Sequence, residues 1–392
     1  MPPSKTSATK VSSRRLRLQV LSQILDVRAD SPVVLHVLGF QFRHFVAPPG
    51  VGPASHRVVL QLAGPSPALS VNRLRRELPK NSTGTRHALA MVFEAILDSL
   101  RGQLLFHAGV VSAGNRGMLI CGPPGFGKTS LVLELADRGF GFLSDDYAPV
   151  ALDSGWVSPF PRSLGIVAAS RIAVRRLRGV PRSHRLLHDD KWLVDPEGIP
   201  GLRLGGPCRP EVVLLLGPCE SLEASSAGRY EIAVSPDRVE ELHQILSEAS
   251  VRPQRRSAGS RGRVYRFSLP RGMNLAGRLQ EWAYANRSSV YSLTRLFPRA
   301  GAFRPPLRVH PVSGKDGLIE VLSDLQNRRP ASEGSGQPGG SPARLLMQSA
   351  SLLGRASFYR FEGGDLASRA EAAAGILRSK PEVPRGRDDS VG

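Results

Sequence analysis

The segment that most constrains the fold is Gly-Pro-Pro-Gly-Phe-Gly-Lys-Thr over residues 122–129, which matches G-x-x-x-x-G-K-[ST]. A short apolar run, residues 117–121, precedes it and predicts a buried strand. Residues 129–138 follow with helical spacing and end at Gly139, a typical helix-stop residue. A strand, a glycine-rich loop and a helix in this order surround an anionic phosphate with backbone N–H groups and a helix N-terminus. The sequence therefore predicts a phosphate-binding loop.

The loop assigns nucleotide-binding roles to consecutive residues. Lys128 is predicted to reach the terminal phosphates and to assist catalysis, and the Thr129 hydroxyl is predicted to bind Mg²⁺. The expected cofactors are therefore ATP and magnesium. The residues predicted to bind the nucleotide are Gly122, Pro123, Pro124, Gly125, Phe126, Gly127, Lys128, Thr129 and Ser130.

Two adjacent carboxylates follow the next apolar strand. Residues 140–147 read Phe-Gly-Phe-Leu-Ser-Asp-Asp-Tyr, so Asp145 and Asp146 lie at the carboxyl end of that strand. Ligands of open α/β sheets bind beyond the carboxyl ends of the strands. One acid can support the metal while the other accepts a proton from an attacking hydroxyl. A solvated acidic turn is the alternative, and the nearby phosphate loop disfavours it.

His107 is a polar residue in an apolar stretch, residues 103–112, which is predicted to be one strand. Taken alone, it is best interpreted as a core histidine. A turn over residues 113–116 would join this strand to the strand before the loop.

The order of these features resembles a known family. His107, a loop starting at Gly122 and an Asp pair beginning 17 residues after Lys128 resemble the HPr kinase/phosphorylase family, and more closely the broad set of HPr-kinase-like serine kinases. The resemblance implies a phosphate-loop fold related to phosphoenolpyruvate carboxykinase. It also implies that Asp145 is the catalytic base, that His107 lies beside it, and that Asp146 belongs to the metal network. Between residues 156 and 196 the chain lacks the glycine-rich signature of genuine HPr kinases, so neither HPr itself as substrate nor the reverse phosphorylase reaction is predicted.

Composition excludes several classes of protein. The 392 residues are 41% hydrophobic, which indicates a globular protein of two or three domains. No apolar run approaches the ~18 residues of a membrane span, and residues 1–17 lack the apolar core of a secretory signal. Three cysteines, Cys121, Cys208 and Cys219, fit neither a disulfide framework nor a zinc site, so a cytoplasmic location is predicted.

The net charge of +20 comes mainly from arginines spread along the chain. No basic stretch is interleaved with aromatic residues, and no nucleic-acid motif is present, so solvated arginine-rich faces are favoured over nucleic-acid binding.

The predicted organisation has four parts. Residues 1–30 are expected to be a flexible basic arm with a short amphipathic piece over 16–27. Residues 31–103 are expected to form a small β-rich unit with strands over 33–39, 40–46 and 58–62, followed by a packing helix over 85–100. The kinase-like domain is placed at 104–378, with a low-complexity loop over 331–342, and a polar tail is placed at 379–392.

Within the kinase-like domain, the sequence predicts several further elements. Strands are expected at 211–217, 263–269 and 357–361, helices at 236–249, 275–285, 343–352 and 367–377, and a basic loop at 250–262. Arg162 and the Asp189-Asp190-Lys191 turn are as compatible with a charged surface as with a nucleotide contact.

The fold class predicted is α/β, a phosphate-loop (HPr-kinase-like) domain preceded by a small β-rich unit. The leading hypothesis is ATP- and Mg²⁺-dependent transfer of a phosphoryl group to a hydroxyl, with a serine of a protein or peptide as the favoured acceptor. A nucleotide-binding ATPase or regulatory module remains open, because a water molecule could replace the serine without changing these residues. A small-molecule kinase is a third option. The partners expected are ATP and the unidentified acceptor, with no membrane, and a homo-oligomer is left open.

Overall fold

The computed structural model shows a mixed α/β protein with several sheets. It describes residues 15–63, 66–78, 84–122, 126–167, 176–188, 191–217, 228–259, 262–269, 290–296, 306–323 and 342–379, with positions 275, 278, 279, 282 and 325 between them. Several sequence predictions fall outside these ranges, namely those for residues 1–14, 123–125, 189–190, most of 275–285, Cys219, 331–341 and 380–392.

The described helices and strands are numbered here in chain order. The strands are β1 Arg15–Val20, β2 Gln23–Ala29, β3 His56–Gln61, β4 Ala68–Val71, β5 Leu74–Glu77, β6 Gln103–Phe106, β7 Gly109–Ala113, β8 Arg116–Cys121, β9 Gly141–Ser144, β10 Ala148–Ala151, β11 Leu164–Val167, β12 Arg185–His188, β13 Lys191–Val194, β14 Arg209–Leu216, β15 Gly228–Val234, β16 Gln254–Gly259, β17 Gly262–Leu269, β18 Val290–Leu296, β19 Arg308–Val312 and β20 Ser357–Glu362. The helices are α1 Pro32–Gln41, α2 Gly84–Ser99, α3 Lys128–Asp137, α4 Val239–Glu248, α5 Gly314–Ser323, α6 Pro342–Leu353 and α7 Leu366–Arg378.

The N-terminal part is a five-stranded sheet in the order β1-β2-β3-β4-β5, with helices α1 and α2 packed against it. Only β2 and β3 run parallel. The prediction of a flexible arm is wrong for residues 15–30, because β1 and β2 form a hairpin in which Leu16, Leu18 and Val20 are buried while the residues between them face outward. This alternation has the two-residue period of a strand, so the amphipathic piece predicted over 16–27 is a β-hairpin.

The two strands predicted over residues 33–46 are also wrong. Residues 32–41 form α1, and a short 3-10 helix follows over Arg43–Phe45. Pro32 occupies the first turn of α1, where its missing N–H costs nothing. Burial of Val34, Leu35, Val37 and Leu38 follows helical spacing, which a continuous apolar run does not distinguish from a buried strand. The predicted strand at 58–62 and the helix at 85–100 are confirmed as β3 and α2.

The central sheet has six strands in the order β19-β20-β14-β8-β7-β9. Strands β8, β14 and β20 are parallel, whereas β7 runs antiparallel to both β8 and β9. Helices α3 and α7 pack together over one face through apolar residues such as Leu131, Leu135 and Ala373. The predicted strand, loop and helix order at 117–138 is therefore confirmed where the structure describes it.

Strand directions bring three segments to one edge of this sheet. Ile120, near the carboxyl end of β8, lies opposite Gly109 at the amino end of β7. Val110 lies opposite Ser144 at the carboxyl end of β9. The stretch predicted as one strand over 103–112 is in fact β6 and β7, with His107 and Ala108 between them. The break is where the chain leaves the pairing of β6 with β10 and enters the central sheet.

Smaller sheets surround the central one. They are β10-β6, β11-β13-β12 and an antiparallel sheet in the order β16-β17-β15-β18. The basic loop predicted at 250–262 is wrong over 254–259, which form β16 and pair with β17. The predicted strands at 211–217, 263–269 and 357–361 are confirmed, as are the helices at 343–352 and 367–377 and most of the helix at 236–249. None of the described helices is both long and apolar enough to cross a lipid bilayer.

A buried ion network ties the N-terminal part to the rest of the chain. Asp195 is fully buried, and its two carboxylate oxygens lie 2.6 Å from His44 Nε2 and 2.6 Å from His184 Nδ1. Arg43 contributes a third contact at 2.9 Å. Burial alone would raise the pKa of Asp195, but these partners hold it below its usual value. His44 therefore has a structural role.

Candidate functional site

The described part of the phosphate loop has the geometry that the motif requires. Gly122 follows β8 with φ of 145°, and a Cβ atom at this position would lie 2.8 Å from the carbonyl oxygen of Leu216 on β14. Gly127 has φ of 91° directly before α3. Both φ values favour glycine, because any other residue would strain the backbone there. At position 122 a side chain would also clash with Leu216. Local geometry thus explains the glycines at positions 122 and 127.

Lys128 begins α3 and is 7% exposed. Its Nζ donates a hydrogen bond of 2.5 Å to the carbonyl oxygen of Gly122, so the ammonium group lies folded over its own loop. A buried ammonium group at a helix N-terminus adds its charge to the partial positive charge of the helix. The site is therefore electropositive where the motif predicts phosphate.

The hydroxyl of Thr129 connects the loop helix to the acid pair. Thr129 Oγ1 donates a 3.0 Å hydrogen bond to Asp145 Oδ2. Asp145 follows β9 and is 8% exposed. The acids and the phosphate loop are therefore in direct contact, as the sequence predicts.

Asp146 lies between two basic side chains. Its Oδ1 is 3.1 Å from His107 Nδ1, and its Oδ2 accepts a 2.7 Å hydrogen bond from Arg162. His107 acts on Asp146 mainly through its charge, which is the largest of the effects that lower the pKa of this acid. Both oxygens of Asp146 therefore face basic groups.

The two carboxyl groups differ in proton affinity. Burial and the negative charge of Asp146 together raise the pKa of Asp145 to about 6, although Arg162 and the Thr129 hydrogen bond oppose the rise. Burial would also raise the pKa of Asp146, but His107, Arg162 and Lys128 together hold it well below its usual value. Asp146 is therefore a persistent anion, and Asp145 exchanges its proton nearer to neutral pH.

The partners of the two acids differ from the expected ones. His107 was expected against Asp145, and Thr129 was expected to work with Asp146. The contacts place His107 against Asp146 and Thr129 against Asp145. Neighbouring side chains leave the backbone in different directions, so one acid faces α3 and the other faces the junction of β6 and β7. A sequence places two adjacent acids at a strand end but does not determine which faces which neighbour.

Arg162 is a residue of this site that sequence reasoning left undecided. Its guanidinium group lies 4.3 Å from the ring centroid of Phe93 on α2 and 5.7 Å from that of Tyr147. Cation–π contacts of this kind hold a guanidinium group in place. The N-terminal part of the chain therefore helps to position a partner of Asp146.

Arg369 was missed altogether. From α7 its side chain donates to the carbonyl oxygens of Phe126 at 3.3 Å and of Gly363 at 2.6 Å. It thus places a positive charge beside the phosphate loop. No local pattern could have revealed it, because the contact joins parts of the chain far apart in sequence.

The oxygen-rich surroundings of the loop are compatible with Mg²⁺. Magnesium takes oxygen ligands and is usually held through one or two carboxylates together with substrate phosphates. The hydroxyl of Thr129 and the carboxylate of Asp145 are such ligands and lie 3.0 Å apart. Burial and the charge of Asp146 raise the pKa of Asp145, and a nearby cation would act against both effects by favouring the ionised form.

Comparisons with known proteins add little. No family model matches the sequence, and no curated protein matches it. Among solved structures, one match is the Hpr(Ser) kinase/phosphatase from Coxiella burnetii, at 16% identity over 47% of this chain and 95% of that chain, with a TM-score of 0.19. A score this low supports no argument about function, so the proposal below is based on the site itself.

Arg162→Met should destabilise the fold at neutral pH, because it leaves Asp146 with one fewer cation. We expect a loss of about 1–3 kcal/mol in the free energy of unfolding, measured by denaturant titration. Arg162→Lys, which keeps the charge, should lose less. In the double variant with Asp146→Asn, the loss should be smaller than the sum of the two single losses. Strict additivity would show that the two side chains are not energetically coupled.

Proposed function

We propose that this protein transfers a phosphoryl group from ATP, with Mg²⁺, to a hydroxyl, and that the acceptor is a serine of a protein or peptide. The observation that carries the proposal is the 3.0 Å contact between Thr129 and Asp145. It joins the first turn of the phosphate-loop helix to the buried Asp145 and, through it, to an acid pair whose two members differ in proton affinity. A phosphate site and a proton acceptor side by side are what phosphoryl transfer to a hydroxyl needs.

The nucleotide would be bound by the loop amides, the N-terminus of α3 and Lys128. In the structure the Lys128 ammonium donates to Gly122 O, and a terminal phosphate would offer it a charged acceptor in place of that carbonyl. Arg369, beside Phe126, adds positive charge at the same loop. These groups would stabilise the charge of the transferring phosphoryl group. The full set proposed to bind the nucleotide is Gly122, Pro123, Pro124, Gly125, Phe126, Gly127, Lys128, Thr129 and Ser130.

Magnesium would be held on the side of the loop where Thr129 meets the acid pair. When bound, the ion neutralises charge on the phosphates. The Thr129 hydroxyl would bind the ion, and Asp145, which accepts a hydrogen bond from that hydroxyl, would lie next to the ion without binding it directly. Asp146, whose oxygens face His107 and Arg162, would support the ion through its fixed negative charge. Asp146 is therefore proposed to act on the ion through its charge and not as a direct ligand.

Asp145 would accept the proton of the attacking hydroxyl. A general base works best when its pKa lies near the working pH, and the value of about 6 for Asp145 satisfies this better than the lowered value of Asp146. His107 and Arg162 would keep Asp146 ionised, and its negative charge in turn raises the proton affinity of Asp145. His107 then acts on Asp145 through Asp146.

The acceptor can be tested with immobilised peptides in matched pairs that differ only by Ser or Ala at one position. The full chain is incubated with MgATP labelled on the γ-phosphate, and phosphate release is measured in parallel. Label on Ser peptides and not on their Ala partners supports a serine kinase. Phosphate release with no labelled peptide would replace the kinase proposal with an ATPase or a regulatory module. Label on an added small-molecule alcohol alone would indicate a small-molecule kinase.

His107→Ala should lower turnover far more than it weakens MgATP binding. His107 makes the largest contribution to lowering the pKa of Asp146, so its loss weakens the charge that tunes Asp145. We expect turnover to fall by about 10- to 100-fold. The acidic limb of the pH–rate profile should also shift, because the proton affinities of Asp145 and Asp146 depend on each other. His310→Ala, at an exposed position on β19, is the matched control. A variant with a reduced melting temperature, native turnover and an unchanged pH profile would make His107 purely structural.

A further inference from the structure

A second surface, away from the candidate site, carries a concentration of positive charge that the proposed function does not use. It is a groove of about 690 Å³ beside β1, β2 and β3, closed on one side by residues 51–55. We call it the arginine groove. Its charged lining residues are Arg15, Arg17, Arg28, Arg57, Arg73 and Asp26.

Strand register places four of these arginines, all but Arg73, in rows on the outer face of the sheet. Arg15 lies directly opposite Arg28, and Asp26 lies between Arg17 and Arg57 on the neighbouring strands. The residues that alternate with them are buried, which fixes the side of the sheet from which the arginines project. Like charges directly opposite each other destabilise a sheet. The repulsion between Arg15 and Arg28 is offset in part by Asp26, which pairs with both of them.

The one acid of the groove does not balance this charge. Asp26 is 3% exposed, with Arg15 at 2.7 Å and Arg28 at 3.2 Å. Arg17 instead donates to the backbone carbonyls of Val51 and Gly52, and within the described residues its buried Nε has no hydrogen-bond acceptor.

Arg57 and Arg73 are the remaining arginines that line the groove, and both are exposed to solvent. Across the described ranges, no acidic side chain other than Asp26 lines the groove. Several guanidinium groups thus face one concave surface without a matching set of carboxylates.

We propose that the arginine groove binds an acidic, extended segment of a partner polypeptide, rich in aspartate and glutamate. Guanidinium groups match carboxylates in shape and charge and bind them through paired hydrogen bonds. A volume of about 690 Å³ accommodates a ligand of a few residues.

The lining also discriminates against nucleic acid. Proteins that bind single strands stack bases on aromatic side chains. Among the described residues lining the groove, none is aromatic: besides the charged residues these are Val51, Gly52, Pro53, Ala54, Ser55 and Asn72. The surface therefore offers charge and hydrogen-bond donors without a stacking platform, which suits a carboxylate-rich peptide.

The test measures the binding of a fluorescein-labelled oligoglutamate peptide to the full chain by fluorescence anisotropy at low salt, without nucleotide. The double variant Arg57→Glu, Arg73→Glu changes two exposed arginines and leaves the pairs of Asp26 intact. We expect its affinity to fall at least about tenfold. The matched control Arg252→Glu, Arg308→Glu makes the same change in net charge at exposed positions outside the groove, and should lose less than about threefold.

Three results would overturn the proposal. An equal loss of peptide affinity in both double variants would show that the peptide responds to the net charge of the protein and does not bind the groove. Equal affinity for an oligoglutamine peptide would remove the role of carboxylates. Tighter binding of a single-stranded oligonucleotide, lost in the groove variant, would reassign the surface to nucleic acid. Thermal melting checks that each variant is folded. If the groove variant is unfolded, the milder double variant Arg57→Gln, Arg73→Gln replaces it and should weaken binding by about threefold. Native affinity in that milder variant would contradict the proposal. Because the assay contains no nucleotide, its failure leaves the proposed phosphoryl transfer untouched.

Discussion

Lys128→Ala is expected to abolish phosphoryl transfer and to weaken MgATP binding at least about 100-fold. The reason is that the Lys128 ammonium group is buried at the start of α3, where a terminal phosphate would be its partner. Truncation would remove that charge from a site with little water to replace it. Isothermal titration calorimetry with MgATP measures the loss directly.

The matched control is Lys315→Ala, which removes an exposed lysine near the start of α5. It should bind MgATP as the native protein does. A folded Lys128→Ala protein with native affinity and native turnover would remove the phosphate loop from the mechanism, and with it the proposed function.

Asp145→Asn should reduce phosphoryl transfer by about 1000-fold and leave MgATP affinity within a few fold of native. An amide has nearly the size of the carboxylate but cannot accept the proton of the attacking hydroxyl. Single-turnover transfer and calorimetric MgATP binding separate the two effects. Asp153→Asn, at an exposed turn residue, is the control and should be silent. Native transfer in Asp145→Asn would exclude this acid as the base. A loss of Mg²⁺-dependent binding comparable to the loss of transfer would make Asp145 chiefly a metal ligand.

The same carboxyl group should make activity pH-dependent. The base must be ionised to accept a proton, so the rate should fall as the pH drops through about 6, the pKa to which burial and Asp146 raise Asp145. Bound Mg²⁺ would move this limb to lower pH, because a cation favours the ionised form.

Ionisation of Asp145 should increase activity but should lower the stability of the folded protein. The folded protein keeps this proton up to about pH 6, whereas an unfolded chain releases it near the ordinary value of 3.8. The folded state therefore binds more protons between these values, so the contribution of Asp145 to stability declines as pH rises across that range. Asp145→Asn should raise the melting temperature at pH 7, and the gain should disappear near pH 4. A gain equal at both pH values would contradict the raised pKa.

Much of the nucleotide part of the site could be predicted from sequence because it is local. The strand before the loop, the glycines that tolerate unusual backbone angles and the helix that begins at Lys128 are consecutive, so their order carries their geometry. The amphipathic stripe of α2 is local in the same way. Errors occurred where a short apolar run suits two structures, as in α1, or where the two-residue period of β1 was overlooked.

The acid pair shows where sequence reasoning ends. That two carboxylates follow β9 is a fact of the sequence, and their proximity to the loop followed from the rule for strand ends. Which acid meets Thr129 and which meets His107 depends on how β7 runs antiparallel to both β8 and β9, and on the break of the chain at His107. The difference in their pKa values depends in turn on Arg162, which contacts Phe93 on α2.

By itself, then, the sequence predicted the glycine-rich motif of residues 122–129, the helix behind it and two acids at a nearby strand end, since each depends on neighbouring residues. Only the tertiary structure decided the partners of those acids, the approach of Arg369 to the loop and the assembly of the arginine groove from separate strands. The physical reason is that charge and burial act through space, so the environment of a carboxylate or a guanidinium group is set by segments that the linear order does not bring together.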